Sequence, residues 1–422
     1  MPVREPLSVF EHEKLRIDER GFLRVHYDRL LKWNEANGFT YFDAGPNSIT
    51  FAQYVGVIQV GDLVIQVLPK ADRDGDAGKW QRALLEMLSL VHNLPLTSTT
   101  ESHLHKRSSS ILDFFFDLYV HDVHGLVRGG LVKQYHRRTG NQLALKGRIH
   151  WPGHLRENLI RKERFHVEHQ VYDNDHMLHS LLKRALCIVK DTALDPMIVG
   201  RVQDVEWAFE HVEDRPLTAA SIARLRLGRK TQSYARAVQL ATMIVLDHAP
   251  DIKGGQTKLL GLMFDMNVLY ERVVLKLLQQ AARDTDLTIS GQDSRLFWQR
   301  QKIRPDIVVR RGDNVELIID TKWKMPKDNR PADADLKQMY VYNLQFGAKH
   351  SFLVYPGGPG GDVPHVGYQL GDAFAYDHSC ALRFVQLFND QGKLRPQCLE
   401  SMLDELAPAH TTPASNDRAA IP

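Results

Sequence analysis

One short stretch constrains the fold of this chain more than any other. Two apolar runs rich in β-branched residues, 307–309 and 315–319, flank the turn sequence Gly312-Asp313-Asn314. Such runs on either side of a glycine-containing turn are typical of a β-hairpin. The sequence therefore predicts an antiparallel pair of strands in this part of the chain.

Charged residues occur at the open end of the predicted hairpin. If the turn centres on Gly312 and Asp313, Asp306 faces Ile319, one residue from Asp320. Lys322 shares a strand face with Asp320, because side chains repeat on the same face every second residue. The hairpin is thus expected to bring two carboxylates and an ammonium group together.

Two close carboxylates repel each other unless a cation lies between them. Mg²⁺ takes one or two carboxylates and leaves the rest of its shell to water and phosphate oxygens, with Mn²⁺ as the alternative ion. In such a site Asp306 and Asp320 bind the metal, and Lys322 orients or activates water for attack on a phosphodiester. The alternative is an ordinary hairpin whose ends are charged.

The residues Pro305-Asp306…Asp320-Thr321-Lys322 resemble the PD-(D/E)xK nuclease motif. Segments at 54–62, 68–70, 261–271 and 338–342, in this order along the chain, are similar to McrC. McrC is the nuclease subunit of the McrBC modification-dependent (5-methylcytosine) restriction system. The resemblance extends roughly from residue 50 to residue 356 and implies a restriction-endonuclease-like α/β domain near the C-terminus.

The resemblance also implies roles for further residues. The Thr321 carbonyl is a candidate metal ligand. Glu271 on the preceding helix is either a metal ligand, or an orienter of one, or a carboxylate paired with a neighbouring Lys or Arg. Gln338 and Tyr342 support the active site or contact DNA, or they belong to an amphipathic helix that packs on the sheet. Arg148 matches a recurrent basic position and is the best candidate for binding a partner.

By the same resemblance, the partner is a separately encoded McrB-like AAA+ GTPase hexamer. That ring recognises modified DNA, and this chain is expected to stimulate the hydrolysis of GTP by the ring. No glycine loop with the spacing of a phosphate-binding P-loop occurs in the chain. We therefore expect that this chain binds no nucleotide itself.

The expected fold class is α/β with several domains. A β-rich N-terminal module that binds the partner precedes a mostly helical middle region with a basic arm, the nuclease domain and a C-terminal extension with a disordered tail. These segments are expected at 1–105, 106–255, 256–375 and 376–422, respectively.

Local patterns predict individual elements within these segments. A hairpin is expected from strands 54–60 and 63–68, and a further strand at 22–27. The basic segment 132–148 is expected to be an exposed hairpin or arm. Hydrophobic periodicity predicts helices at 262–283 and 336–346, among others, and a linker at 251–255.

Composition excludes several classes of protein. The net charge is only +3, so any DNA-binding surface must arise from local clustering of basic residues. Three widely spaced cysteines form neither a disulfide framework nor a zinc ligand set, which fits a reducing cytoplasm. The charged N-terminus has no apolar signal region, and no long apolar run predicts a membrane span.

Three functions are consistent with these patterns. The first is a Mg²⁺-dependent DNA endonuclease subunit that acts with the AAA+ ring. The second is a non-catalytic adaptor that activates such a ring and keeps the carboxylate pair only as a relic. The third is a stand-alone DNA repair nuclease, which cuts DNA without a partner.

Overall fold

The computed structural model describes residues 5–70, 76–94, 110–249, 259–326, 330–357, 361–369 and 377–406. Two expectations, the linker at 251–255 and the disordered tail after about residue 407, lie outside the described residues. No described helix is long and apolar enough to cross a membrane.

The described residues form strands and helices throughout the chain. The strands are β1 (Leu7–Phe10), β2 (Lys14–Arg16), β3 (Phe42–Gly45), β4 (Ser48–Phe51), β5 (Tyr54–Val60), β6 (Leu63–Leu68), β7 (Gln134–Gln142), β8 (Arg148–Ile149), β9 (Phe165–Asp173), β10 (His248–Ala249), β11 (Leu259–Asp265), β12 (Leu287–Gly291), β13 (Arg295–Trp298), β14 (Gln301–Ile303), β15 (Ile307–Arg311), β16 (Asn314–Thr321), β17 (His350–Pro356), β18 (Val363–Gly367) and β19 (Ser379–Val385). The α-helices are α1 (Arg24–Ala36), α2 (Ala77–His92), α3 (Ile111–Arg128), α4 (Trp151–Asn158), α5 (Met177–Thr192), α6 (Pro196–Glu206), α7 (Ala219–Ala223), α8 (Ala235–Leu246), α9 (Met266–Ala281), α10 (Asp333–Phe346) and α11 (Glu400–Asp404). The mixed α/β class expected from the sequence is thus confirmed.

The chain divides into two compact units. The first comprises Met1–Val67 and Leu96–Met263, and the second comprises Leu68–Pro95 and Phe264–Pro422. The expected N-terminal segment, 1–105, is therefore divided between the units, because α2 packs against α9. Each unit is described separately below.

The first unit contains a five-stranded sheet in the order β1-β6-β5-β11-β10. The hairpin of β5 and β6 is confirmed, with Val60 opposite Leu63. Gly56 on β5 has φ +141°, and a Cβ atom there would lie 2.0 Å from the Leu262 carbonyl oxygen. Only glycine therefore permits β5 to lie this close to β11.

Two expected elements differ in the structure. Residues 24–27 belong to helix α1 and not to a strand, because Tyr27, Leu30 and Trp33 recur at helical spacing and are buried. Residues 262–265 belong to β11, and helix α9 begins only at Met266. The side chain of Asp265 caps that helix by accepting hydrogen bonds from the N–H groups of its first turn.

The basic arm forms part of a three-stranded antiparallel sheet in the order β7-β9-β8. The expectation of a hairpin within 132–148 is wrong, since β7 pairs along its length with β9 and not with β8. The reason is that β9 carries most of the buried side chains, such as Val167 and His169, and so takes the central position.

The second unit is built on a six-stranded sheet in the order β12-β15-β16-β17-β19-β18. Strands β15 and β16 form the predicted antiparallel hairpin, whereas β16, β17 and β19 are parallel neighbours. Helix α10 packs on this sheet through Met339 and Phe346, which join a core cluster with Val308 and Ile318. The candidate site lies where β15 begins and β16 ends.

Candidate active site

A β-bulge sets the position of the two aspartates of the hairpin. Near the turn, Arg311 pairs with Asn314 and Arg310 with Val315, as expected from the sequence. Glu316 is then an extra residue, so that Val309 pairs with Leu317 and Ile307 with Ile319. Continuing this register by one residue places Asp306 opposite Asp320. The expectation that Asp306 faces Ile319 is therefore wrong by one residue, because no local sequence pattern marks the bulge.

Asp306 is held by the end of the neighbouring strand. Its Oδ2 atom accepts hydrogen bonds from the backbone N–H of Thr321 at 2.7 Å and from the Thr321 hydroxyl at 2.8 Å. The other carboxylate oxygen of Asp306, Oδ1, takes no part in these two hydrogen bonds with Thr321. Thr321 thus fixes the orientation of the carboxylate at the open end of the hairpin.

Asp320 is buried and forms an ion pair with Lys322. The Nζ atom of Lys322 lies 2.7 Å from Oδ2 of Asp320, whose side chain is 3% exposed. Burial, and then the negative charge of Asp306, raise the pKa of Asp320 to about 6, although Lys322 opposes this shift. Burial disfavours the charged form of Lys322, but the carboxylates of Asp320 and Asp335 outweigh it and raise the pKa of the ammonium group.

Glu271 on α9 is also buried near this end of the sheet. Its Oε1 atom accepts a hydrogen bond from Nε2 of Gln292 at 2.8 Å, and the backbone N–H of Gln292 donates to the carbonyl of Asp306. Burial, followed by the charge of Asp306, raises the pKa of Glu271. The structure thus links Glu271 to Asp306 through Gln292, a residue that the sequence analysis did not single out.

Side chains of α10 complete the polar network. Lys322 Nζ donates to Oε1 of Gln338 at 3.3 Å, and Nε2 of Gln338 lies 3.4 Å from Oδ1 of Asp320 and 2.7 Å from the Tyr342 hydroxyl. That hydroxyl donates to the carbonyl oxygen of Arg304 at 3.1 Å. Gln338 and Tyr342 therefore connect the Lys322 pair to the chain just before Asp306.

Asp335, which was not predicted as a site residue from the sequence, is buried at the start of α10. One of its oxygens lies 3.7 Å from Nζ of Lys322 and the other 2.8 Å from Nζ of Lys324. Its spacing of three residues from Gln338 places both side chains on one helix face. That spacing was the signal available in the sequence.

Arg148 lies in the first unit, on β8, and does not belong to this network. Its side chain is 80% exposed and lies 3.2 Å from a carboxylate oxygen of Glu168. Arg137 pairs with the same carboxylate at 3.1 Å. The arm therefore presents two exposed guanidinium groups around one acid.

The donor set of the site is suited to a hard cation. Asp306 and Asp320 supply carboxylate oxygens, and their mutual repulsion is the kind that a divalent cation relieves. Within the described ranges, no group of three or more His, Cys, Asp or Glu side chains is arranged to hold a metal ion. A cation here would accordingly depend on the aspartate pair, which suffices for Mg²⁺.

Comparison with known proteins identifies the family of this chain. A sequence model of the family described as "McrBC 5-methylcytosine restriction system component" matches residues 49–356. No curated protein matched the chain.

Two solved structures are similar to this one. A chain in a half-complex from the tetradecameric assembly of Thermococcus gammatolerans McrB AAA+ hexamers with bound McrC has 17% sequence identity and a TM-score of 0.68, with 95% of this chain and 100% of that chain covered. A chain of the Thermococcus gammatolerans McrBC complex has 18% identity and a TM-score of 0.49, with 66% and 89% covered. Since the family match spans most of the sequence, the chain belongs to the McrBC 5-methylcytosine restriction system component family.

Proposed function

We propose that this protein is the Mg²⁺-dependent DNA endonuclease subunit of a McrBC-like restriction system. The observation that carries the proposal is the placement of Asp306 opposite Asp320 at the open end of the hairpin, with Lys322 at 2.7 Å from Asp320. The resemblance of these residues to the PD-(D/E)xK motif and the membership of the McrBC family support it.

Asp306 and Asp320 would hold the cation, with the Thr321 carbonyl as a further ligand and Glu271 as a ligand or as an orienter of one. Bound Mg²⁺, or Mn²⁺ in its place, supplies Lewis-acid stabilisation of the phosphodiester charge. Lys322 donates hydrogen bonds that orient the attacking water and stabilise the anionic transition state. Gln338 and Tyr342 keep the Lys322 ammonium in position.

The partner in this proposal is a McrB-like AAA+ GTPase hexamer. The similar Thermococcus gammatolerans structure contains McrB AAA+ hexamers with bound McrC, which supports such an assembly for this chain. The ring would recognise modified DNA and hydrolyse GTP, and the basic arm with Arg148 would contact the ring and stimulate hydrolysis. Cys187, Cys380 and Cys398 are free thiols, as expected for a protein that functions in a reducing cytoplasm.

Cleavage of methylated DNA by the full chain tests the proposal. Asp306→Asn and Asp320→Asn should each abolish cleavage in Mg²⁺ with the partner and GTP, and wild type should be inactive in EDTA. Asp313→Asn, which alters an exposed acid at the opposite end of the same hairpin, is the matched control and should cut normally. Thermal unfolding of each variant verifies that the fold is retained.

Other outcomes would favour the alternatives. Cleavage that requires Mg²⁺ and Asp320 but no partner would favour a stand-alone repair nuclease. Stimulation of partner hydrolysis without cleavage in any mixture would favour the adaptor. Cleavage retained in either aspartate variant would refute the metal site itself.

A further inference from the structure

A small hairpin precedes the catalytic segment and carries an unusual surface. Strands β13 and β14 form a two-stranded sheet of their own, separate from the six-stranded sheet of the second unit. Leu296, Phe297 and Trp298 are 66%, 50% and 59% exposed, respectively. Single apolar side chains are common on protein surfaces, but a contiguous group of large exposed ones indicates a binding surface.

The same hairpin is strongly basic. Residues 294–304 include Arg295, Arg300, Lys302 and Arg304 but no acidic residue. Arg295 anchors the hairpin to α10, because its guanidinium group lies 4.4 Å from the centroid of the Phe346 ring and donates to the Gln345 carbonyl oxygen at 2.5 Å. The exposed side chains of Arg300 and Lys302 have no ion pair with a described carboxylate.

A β-bulge gives Phe297 its position. Leu296 pairs with Lys302 and Trp298 pairs with Gln301, so Phe297 is the extra residue on β13. A bulge redirects a side chain out of the regular alternation of a strand and is frequent next to active sites. Gln299 in the turn has φ +50°, a strained conformation for a residue other than glycine.

Phe297 lines a cleft of about 920 Å³ that leads to the candidate active site. Lys302 and Arg304 line the cleft with Phe297 on the hairpin side. Lys337, Gln338 and Tyr342 of α10 form the other side. Gln338 also lies 3.4 Å from Asp320, so the α10 side of the cleft adjoins the aspartate pair.

We propose that this cleft binds one strand of the DNA substrate and delivers its phosphodiester to Asp306 and Asp320. Phe297 stacks on a base, and Lys302 and Arg304 bind phosphates on either side of the cut. An aromatic platform beside a basic groove is how proteins hold single nucleic-acid strands without reading sequence. The inference rests on the proposed nuclease function, which it extends by naming the substrate-binding surface.

Charge complementarity favours DNA over a protein as the occupant. A groove whose hairpin wall carries Lys302 and Arg304 and contains no acid matches a polyanion better than a mixed protein surface. The position of the groove supports the same choice, because a substrate phosphate must reach Asp320 and Lys322. A protein that docked on the hairpin would obstruct this approach.

Binding of fluorescein-labelled DNA to the full-length chain, measured in Ca²⁺ and in EDTA, tests the inference. Phe297→Ala should weaken binding roughly 5- to 150-fold, the range expected for loss of one stacked base. Lys302→Gln should reduce the slope of log affinity against log salt by about 1, the loss of one phosphate contact. The controls are Leu296→Ala, exposed on the same hairpin but outside the cleft, and Lys349→Gln, an exposed lysine of the same unit.

Several results would overturn the inference. They are the absence of wild-type binding in both media, equal affinities for Phe297→Ala and Leu296→Ala, or a Lys302→Gln salt slope equal to that of wild type. Loss of partner binding in Phe297→Ala with unchanged DNA affinity would instead make the hairpin a protein contact. If the melting temperatures of the variants equal that of wild type, misfolding is excluded as the cause of a loss of binding.

The inference and the proposed function fail in different ways. Asp320→Asn should abolish cleavage, and the addition of Phe297→Ala to that variant should still weaken DNA binding in EDTA. Hairpin-dependent binding without cleavage under any metal condition would refute the nuclease alone. Metal-dependent cleavage that Phe297→Ala and Lys302→Gln leave unchanged would refute the cleft alone.

Discussion

Asp306 accepts two hydrogen bonds on a single oxygen, from the backbone N–H and the hydroxyl of Thr321. The second residue of the D-T-K sequence therefore positions the first aspartate of the motif. The Thr321 side chain, between Asp320 and Lys322, is a part of the site and not merely a spacer.

Thr321→Val should reduce cleavage about tenfold and lower the free energy of unfolding by about 1 kcal/mol. The change removes the hydroxyl but keeps the backbone N–H, so Asp306 loses one of its two restraints. Cleavage rates and urea unfolding measure the two effects. Thr288→Val, on the exposed side of β12, should change neither, and unchanged cleavage by Thr321→Val would contradict the positioning role.

Insertion of one alanine after Glu316 should abolish cleavage, whereas Glu316→Ala should leave it near the wild-type level. The insertion adds a residue to β16 between the turn and Asp320 and so moves Asp320 out of register with Asp306. The substitution keeps the bulge and loses only a weak contact with Arg311, at 3.8 Å. Circular dichroism of the insertion variant tests whether the sheet persists, and cleavage by a folded insertion variant would contradict the need for Asp306 to face Asp320.

Arg148→Ala should lower the stimulation of GTP hydrolysis by the AAA+ partner several-fold, with no change in melting temperature. Its exposed ion pair with Glu168 contributes about 0–1 kcal/mol to stability, so the side chain is available for a partner. A steady-state hydrolysis assay measures the effect. Lys190→Ala, which breaks an exposed ion pair with Glu206 in the same unit, should stimulate like wild type.

The sequence predicted those parts of the site that depend on local patterns. Apolar runs rich in β-branched residues on either side of Gly312 predicted the hairpin, and the spacing of Asp320 and Lys322 predicted their common face. The facing of Asp306 and Asp320 was not predictable, because the position of a bulge depends on packing across strands. Helix α1 was missed because the first residues of the helix alternate like a strand, and only its later residues have helical spacing.

The same limit applies to residues that join the site from a distance. Gln292 and Asp335 lie in polar segments whose sequence is that of ordinary loops and helix starts. Gln292 donates a hydrogen bond to Glu271, which lies 21 residues earlier in the chain. Asp335, on α10, lies near the ammonium group of Lys322, which follows β16. Only the fold shows that these side chains converge.

A buried acid far from the nuclease motif leads to a prediction on stability. Asp247, at the end of α8, borders a cavity of about 70 Å³, and burial raises its pKa to about 7. The other residues that line this cavity are Trp33, Asn37, Tyr41, Leu246, His248 and Gly261. Among these neighbours, Tyr41 has a raised pKa, first through burial and then through the charge of Asp247.

Because the folded pKa of Asp247 exceeds the unfolded value near 3.8, the folded state binds more protons between these values. The free energy of unfolding should therefore fall as pH rises from about 4 through 7, by on the order of 4 kcal/mol for this group. Asp247→Asn should remove that loss, so the variant should gain a few kcal/mol over wild type at about pH 8 and little at about pH 4. Urea unfolding across this range measures the difference, with Asp313→Asn, an exposed acid, as the control expected to show none. A difference between Asp247→Asn and wild type that does not grow with pH would show that the carboxylate is not kept protonated by burial.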